Sequence, residues 1–485
     1  MDRRGENIAV AVLLAAGTLH WLAFFGAGQG GMSFTAADWP KEFRYYSALK
    51  QAVTDGEVPY YVSRPIHQTR KLLSLPELSW SPQVALLRVI EVPDFFALNT
   101  ALLFMAGFAG CLALRRRYRL SLLPFALLVM VALLNGHLAA HLAVGHSMWI
   151  GAFLLPWVAL FVLDLLDAPP APHTPLLLAL VLFAILLQGS FHVFVWCVML
   201  LALLAAFDRR ARRPALMAAA WAAALGVCRL LPAGAVLIGR REQTFMSGYP
   251  TPAALLEALV LVRTAAEPPR GGRFDALRWW EYDAYVGAAA LAWLLWFGLY
   301  RRWRTRRERR AEESGAALRI RLGLDGPLAV LVLLSLGDLY YPINVSGIPL
   351  LATQRVSSRF VLVPLVLLAA VAAARTEADL ERARRPGRVR ALLGLAVALT
   401  AASLAAHSWA WRAPAVVASW PPAPHARDLA IELRAPETEG ARDRAYVTGV
   451  RVGAAASVGV FAVLAWRLWA TLPRGRPRER RQAQP

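Results

Sequence analysis

Cysteine is nearly absent. Cys111, Cys197 and Cys228 are the three in 485 residues, and each lies in or beside an apolar run. An odd number so widely spaced gives neither a disulfide framework nor the paired spacing of a zinc site. Charge is scarce too, at 18% of residues against 58% hydrophobic, which is less polar than a soluble domain of this length. Lysine occurs only at 41, 50 and 71, so the positive charge is almost all arginine, as a GC-rich genome would give. There is no Walker A loop, no GxGxxG after a strand, no GxSxG and no CxxC. Nucleoside triphosphate hydrolysis, nicotinamide chemistry and serine hydrolysis therefore have no support in the sequence.

What is present in quantity is apolar runs of roughly 16–22 residues, each about long enough to cross a hydrocarbon core. Twelve are read, near 7–27, 95–114, 120–135, 148–166, 175–188, 191–207, 214–238, 284–300, 326–338, 359–374, 391–410 and 450–471. The net charge of +21 does not point to nucleic acid, because the arginines form no single patch. They fall just beyond the ends of apolar runs, as the positive-inside rule expects. With Arg3 and Arg4 in the cytoplasm, the clusters at 115–119, 208–213, 301–310, 375–390 and 474–481 all fall on that side, which puts both termini inside. The run 175–207 is too long for one span. Gln188-Gly189-Ser190 marks either an outer turn between two short helices or a broken helix facing a cavity. The first run lacks a small-residue cleavage site and is expected to stay as an uncleaved helix.

The fold class expected is all-α: a polytopic transmembrane bundle with interfacial helices in the first outer loop. A core over 1–375 carries that loop at 28–94. Residues 376–485 supply further spans and a basic tail, with no soluble domain. Other long outer loops are expected at 239–283, 339–358 and 411–449. Their Trp, Tyr and Pro content argues against disorder. In the first loop, Asp38 is placed as a helix N-cap with Pro40 in the first turn. Phe43, Tyr46, Leu49 and Val53 repeat at helical spacing, which predicts an amphipathic helix on the membrane surface. Asp55-Gly56 ends it.

Four constellations can carry chemistry. Asp38, beside Trp39 just outside the first span, is placed to take a proton from a hydroxyl; the alternative is a cap only. His137, His141 and His146 follow Asn135, and His137 and His141 share a helix face. They line an aqueous cavity mouth or, as the alternative, hold a metal, although no HExxH motif is present. His192 is a further candidate for the same cavity. Arg355 and Arg359 are four apart before a span and suit phosphate; anchoring to lipid headgroups is the alternative. In Trp279-Trp280-Glu281-Tyr282-Asp283-Ala-Tyr285 most aromatics read as the membrane belt, with Glu281 as a second acid. Asp338, Tyr340 and Tyr341 form a similar group.

This layout resembles the C superfamily of membrane glycosyltransferases (GT-C). The resemblance rests on the early acid Asp38, on Gly56-Glu-Val-Pro59-Tyr60-Tyr61, on Ser79-Trp-Ser-Pro82-Gln83, on Trp280–Gly287 and on Arg355–Phe360, over roughly residues 5–375. It implies an enzyme of a bacterial cytoplasmic membrane, among membrane lipids, that takes a sugar from a polyprenyl-phosphate-linked donor. Asp38 would be its catalytic base; the substrate-binding candidates, read from the residues themselves, are Trp39, His141, His146, Glu281, Tyr282, Arg355 and Arg359. No cofactor is required by the motifs, but some branches use the first-loop acid as a ligand to a divalent metal. Two features depart from the family: many members have Asp-Glu adjacent where this chain has Asp38-Trp39 with Glu42 later, and many end in a soluble outer domain. The rival readings are a lipid or solute transporter and a non-catalytic scaffold of the same fold.

Overall fold

The computed structural model describes residues 3–26, 37–66, 69–166, 170–237, 245–263, 277–301, 315–348, 350–383, 386–412, 433–434 and 443–471. The basic stretches 302–310 and 474–481, and parts of each long outer loop, lie outside the described residues.

The chain is mostly helical. The helices are α1 (Arg3–Phe24), α2 (Trp39–Asp55), α3 (Val92–Tyr118), α4 (Leu122–Leu133), α5 (Gly136–Ala143), α6 (Leu155–Leu166), α7 (Thr174–Leu187), α8 (Phe191–Phe207), α9 (Arg212–Leu225), α10 (Val227–Leu237), α11 (Pro252–Val260), α12 (Ala288–Trp293), α13 (Gly315–Leu334), α14 (Gly337–Val345), α15 (Leu362–Arg382), α16 (Pro386–Arg412) and α17 (Arg444–Thr471). Among the described residues seven helical stretches are long and apolar enough to cross a membrane: 4–24, 92–118, 122–143, 147–166, 358–382, 386–412 and 444–471. This is an integral membrane protein. Four shorter apolar helices lie at 174–187, 191–207, 288–300 and 323–334.

Several elements follow from local chemistry. Helix α3 opens with Pro93 in its first turn and ends at Arg119 in the left-handed conformation, with Arg115, Arg116 and Arg117 against the negative end of its dipole. Asn135 breaks the third stretch: its side-chain oxygen accepts from Leu138 N at 3.2 Å, so it caps α5 and restarts the helix. Helix α2 ends at Gly56, whose φ of 72° suits glycine.

The basic helix ends come together. Arg115 pairs with Glu6 at 3.1 Å, Arg117 with Asp164 at 2.9 Å and Arg301 with Asp379 at 2.8 Å. Ser121 donates to Glu377. The start of α1 and the ends of α3, α6 and α15 therefore share one end of the bundle, as their charge pattern requires.

Three expectations are corrected. The first outer loop is not purely helical: β1 (Tyr61–Ile66) pairs antiparallel with β2 (Thr69–Lys71) and with β3 (Leu433–Arg434), in the order β2-β1-β3. The run 214–238 is not straight, because α9 and α10 meet at Gly226 with a 68° bend. Gly226 leaves no room for a side chain there, since a Cβ would sit 2.6 Å from Leu186. Finally, the run expected at 326–338 ends at Leu334, and Asp338 belongs to α14. At 188–190 the structure settles on two helices. Gly189, at φ 79°, makes the turn against the backbone of Pro76 and Glu77.

Candidate functional site

A cavity of about 500 Å³ opens at the end of the bundle away from the gathered arginines, within the size range of small-molecule sites. Its charged and imidazole lining is Asp38, Lys41, His146, His192, Arg229, Glu281, Arg355 and Arg359. Met148, Leu186, Phe191, Leu230, Ala233 and Met246 give it an apolar side.

Asp38 is fixed from its backbone outwards. Its N–H donates to Val144 O at 3.0 Å, and its carbonyl accepts from Lys41 N and Glu42 N. Trp39 Nε1 donates to Ala143 O at 3.0 Å. Gly145, at φ 85°, lets α2 approach: a Cβ there would lie 2.6 Å from Trp39 N. The capping reading of Asp38 is corrected, because its side chain makes no cap hydrogen bond. It turns instead to Lys41, at 3.1 Å, and stays 45% exposed. The side chain is therefore free for something other than helix capping.

Behind Asp38 lies an ionic cluster that α2 buries. Lys41 points inward to Asp38, to Glu42 at 2.9 Å and to Glu77 at 3.6 Å. Burial opposes the charge on Lys41, but these three carboxylates outweigh it and raise the ammonium well above its usual range. Burial also pulls Glu42 up, against the attraction of Lys41 and with the repulsion of Glu77. Ser147 Oγ donates to Glu42 and sits 3.2 Å from Tyr46 OH.

Asn135 and Gly145 arrange the histidines. His137 Nδ1 lies 2.8 Å from Asp283 O, and its Nε2 accepts from Trp149 Nε1 at 2.8 Å. The indole can only donate, so His137 carries its proton on Nδ1 and both nitrogens are used. His141 is fully buried, stacks on Trp149 at 4.2 Å and meets His146 Nδ1 through its own Nδ1 at 2.6 Å. His146 lines the cavity, with Nε2 3.6 Å from Asp38 Oδ2. Burial, and then the charges of Arg359 and Lys41, hold its imidazolium form well below the usual pKa. Gln354 Oε1 accepts from Trp196 Nε1 and lies 3.0 Å from His192 Nδ1, which leaves the lone pair of His192 on Nε2.

Arg355 and Arg359 do not share a helix face. Residue 356 forms a bridge to Ser247, and a 3₁₀ turn begins at Ser358. Both nonetheless reach the cavity. Arg359 Nε donates to Glu281 Oε2 at 2.6 Å, and the guanidinium lies 4.8 Å over the ring of Trp149. Arg355 is exposed, with a thioether contact to Met246.

Of the residues singled out in the sequence, Asp38, His146, His192, Trp280, Glu281, Arg355 and Arg359 line the cavity, and His141 stands directly behind His146. Two do not line it. Trp39, 1% exposed, packs between Phe25 and Phe96 and anchors α2. Tyr282, 2% exposed, donates to Ser247 Oγ and accepts from Tyr249 OH at its carbonyl. Sequence reasoning passed over Lys41, Arg229 and Trp149. Arg229 sits on α10 just past the bend and donates to the carbonyls of Leu75 and Glu77 at 2.7 and 2.6 Å. Its place after a break in an apolar run was the one available signal.

The metal that some branches of the resembled superfamily use does not fit beside Asp38. The neighbour closest to its carboxylate is an ammonium, where a cation would need anions. Among the described residues no group of three His, Cys, Asp or Glu converges as a ligand set. No protein-family profile, curated protein or solved structure matches this chain.

Proposed function

We propose that the chain is a membrane glycosyltransferase that moves a sugar from a polyprenyl-phosphate-linked donor to an acceptor hydroxyl on the outer side of a bacterial cytoplasmic membrane. The observation that carries this reading is the meeting of Asp38 with Arg355 and Arg359 around one cavity with an apolar side. The donor's lipid chain lies against Leu186, Phe191, Leu230 and Met246. Arg355, whose guanidinium faces no carboxylate among the described residues, takes the phosphate, and Arg359 stiffens that wall through Glu281 and Trp149. Asp38 accepts the acceptor's proton as the new bond to the sugar's anomeric carbon forms. The bond from that carbon to the phosphate oxygen breaks, and the phosphate leaves with the electron pair. The matching topology has twelve crossings and both termini in the cytoplasm, with the bent α9–α10 pair and the four shorter apolar helices counted as spans.

The bend at Gly226, with Arg229 beyond it, favours a carrier as the second reading, since broken helices carry transporter sites. One experiment separates the two. Protein in liposomes is given a lipid-linked sugar and a hydroxyl acceptor. Asp38→Asn is expected to cut transfer by about 100-fold or more while the protein stays folded. Unchanged transfer removes the base assignment, and movement of the lipid across the bilayer without transfer favours the carrier.

A further inference from the structure

We infer that His141 is a positioning residue: it fixes His146 as the Nε2–H tautomer, so that His146 turns an N–H toward Asp38 Oδ2 and leaves Oδ1 for the acceptor. The inference rests on the transferase reading for the role of Oδ1, but the tautomer assignment does not. The two Nδ1 atoms are 2.6 Å apart, so one of them carries a proton and the other accepts it. His146 stays neutral among Lys41, Arg359, His192 and His137, which leaves it one proton to place.

The two placements are unequal. If His146 Nδ1–H donates to His141, then His141 holds its own proton on Nε2. That nitrogen is buried and has no partner, so an N–H would be orphaned there. His146 Nε2 would also aim a lone pair at the carboxylate of Asp38, 3.6 Å away. If instead His141 Nδ1–H donates to His146, both faults disappear. His141 then buries only a bare lone pair on Nε2, and His146 turns its Nε2–H to the carboxylate. The gap of 3.6 Å exceeds a hydrogen bond, as catalytic contacts often do before substrate binds. Lys41 holds the same Oδ2 from the other side at 3.1 Å. One oxygen of Asp38 is thus held by Lys41 and faced by the N–H of His146, and the other is left for the cavity. The ring of His141 is itself held, stacked on Trp149 and edge-on to His137 at 4.4 Å.

The test uses the full-length protein labelled with ¹⁵N-histidine in lipid nanodiscs, with the His146 signals identified by their loss in His146→Gln. Nitrogen shifts should show the Nε2–H tautomer in the unaltered protein. His141→Asn, whose amide N–H reaches the place of Nδ1, should retain it. His141→Phe keeps the stacking on Trp149 but has no donor, and should bring in the Nδ1–H form. In the liposome transfer assay His141→Phe should lower kcat by about tenfold with KM little changed, less than the direct loss of the base, and His141→Asn should restore it. An Nδ1–H tautomer in the unaltered protein overturns the inference, and that spectrum decides even where His141→Phe fails to fold. A tautomer indifferent to His141→Phe overturns it equally. The expected tautomers in an unaltered protein that transfers no sugar would sink the transferase reading while leaving the positioning geometry in place, and unaffected transfer in Asp38→Asn would remove only the base assignment.

Discussion

Glu281 and Asp283 stand two residues apart in one turn and meet opposite surroundings. Glu281 lines the cavity and pairs with Arg359, where both side chains retain a little exposure, 11% and 12%. Asp283 points the other way and is fully buried. Its Oδ2 faces His407 Nε2 at 2.9 Å and Trp411 Nε1 at 3.1 Å, and its Oδ1 accepts from Tyr285 N at 3.0 Å. Its backbone carbonyl faces His137. His407 also stacks on Tyr285 at 4.5 Å. Both carboxylate oxygens of Asp283 are in use and fully buried, so it ties α16 and α5 to the 279–287 segment and is closed to a ligand in the cavity. Glu281 has one oxygen in use and faces open space. The difference teaches that an acid near a cavity is judged by its unspent oxygens and its access, not by its place in the sequence.

The comparison is open to attack at three points. Asp283→Ala should have the largest effect, a loss of about 3–5 kcal/mol, because it strands a buried imidazole and an indole N–H. A thermal unfolding midpoint close to that of the unaltered protein would mean the buried knot is dispensable. Gly136→Ala should cost about 1–3 kcal/mol, since the new Cβ would lie 2.5 Å from Asp283 Oδ1 and 2.7 Å from His407; the same midpoint measures it. Glu281→Gln should cost less than about 1 kcal/mol, because the amide oxygen still accepts from Arg359, which keeps its stacking on Trp149. Its effect belongs to the cavity, read as weaker retention of a polyprenyl phosphate on the protein. If Glu281→Gln destabilised as much as Asp283→Ala, the two acids would not differ in kind.

Much of this was legible from local chemistry. Seven of the apolar runs mark helices long enough to cross a membrane, Pro40 and Gly56 bracket α2, and the polar break at 188–190 separates α7 from α8. The arginine clusters foretell which helix ends gather. Six of the cavity-lining residues were also visible as acids, arginines and imidazoles at helix ends. The roles of Trp39 and Tyr282 were misjudged because an aromatic at a cavity rim and an aromatic anchoring a helix have the same local sequence. Lys41 was passed over because helical periodicity says nothing of Glu77 waiting on another segment. The sheet escaped notice because two of its three strands are very short and its third comes from residues 433–434.

What the sequence by itself determined is the class of molecule: hydrocarbon has no hydrogen-bond partners to offer, so long apolar runs must fold as helices and charge must collect at their ends. Only the tertiary structure decided which charges would be consumed. Asp38 faces a cavity with an oxygen to spare and Asp283 does not, because partners such as His146 and His407 arrive from residues more than a hundred positions away. Ion pairs and hydrogen bonds are made at a few ångströms, a distance that spacing along the chain does not encode.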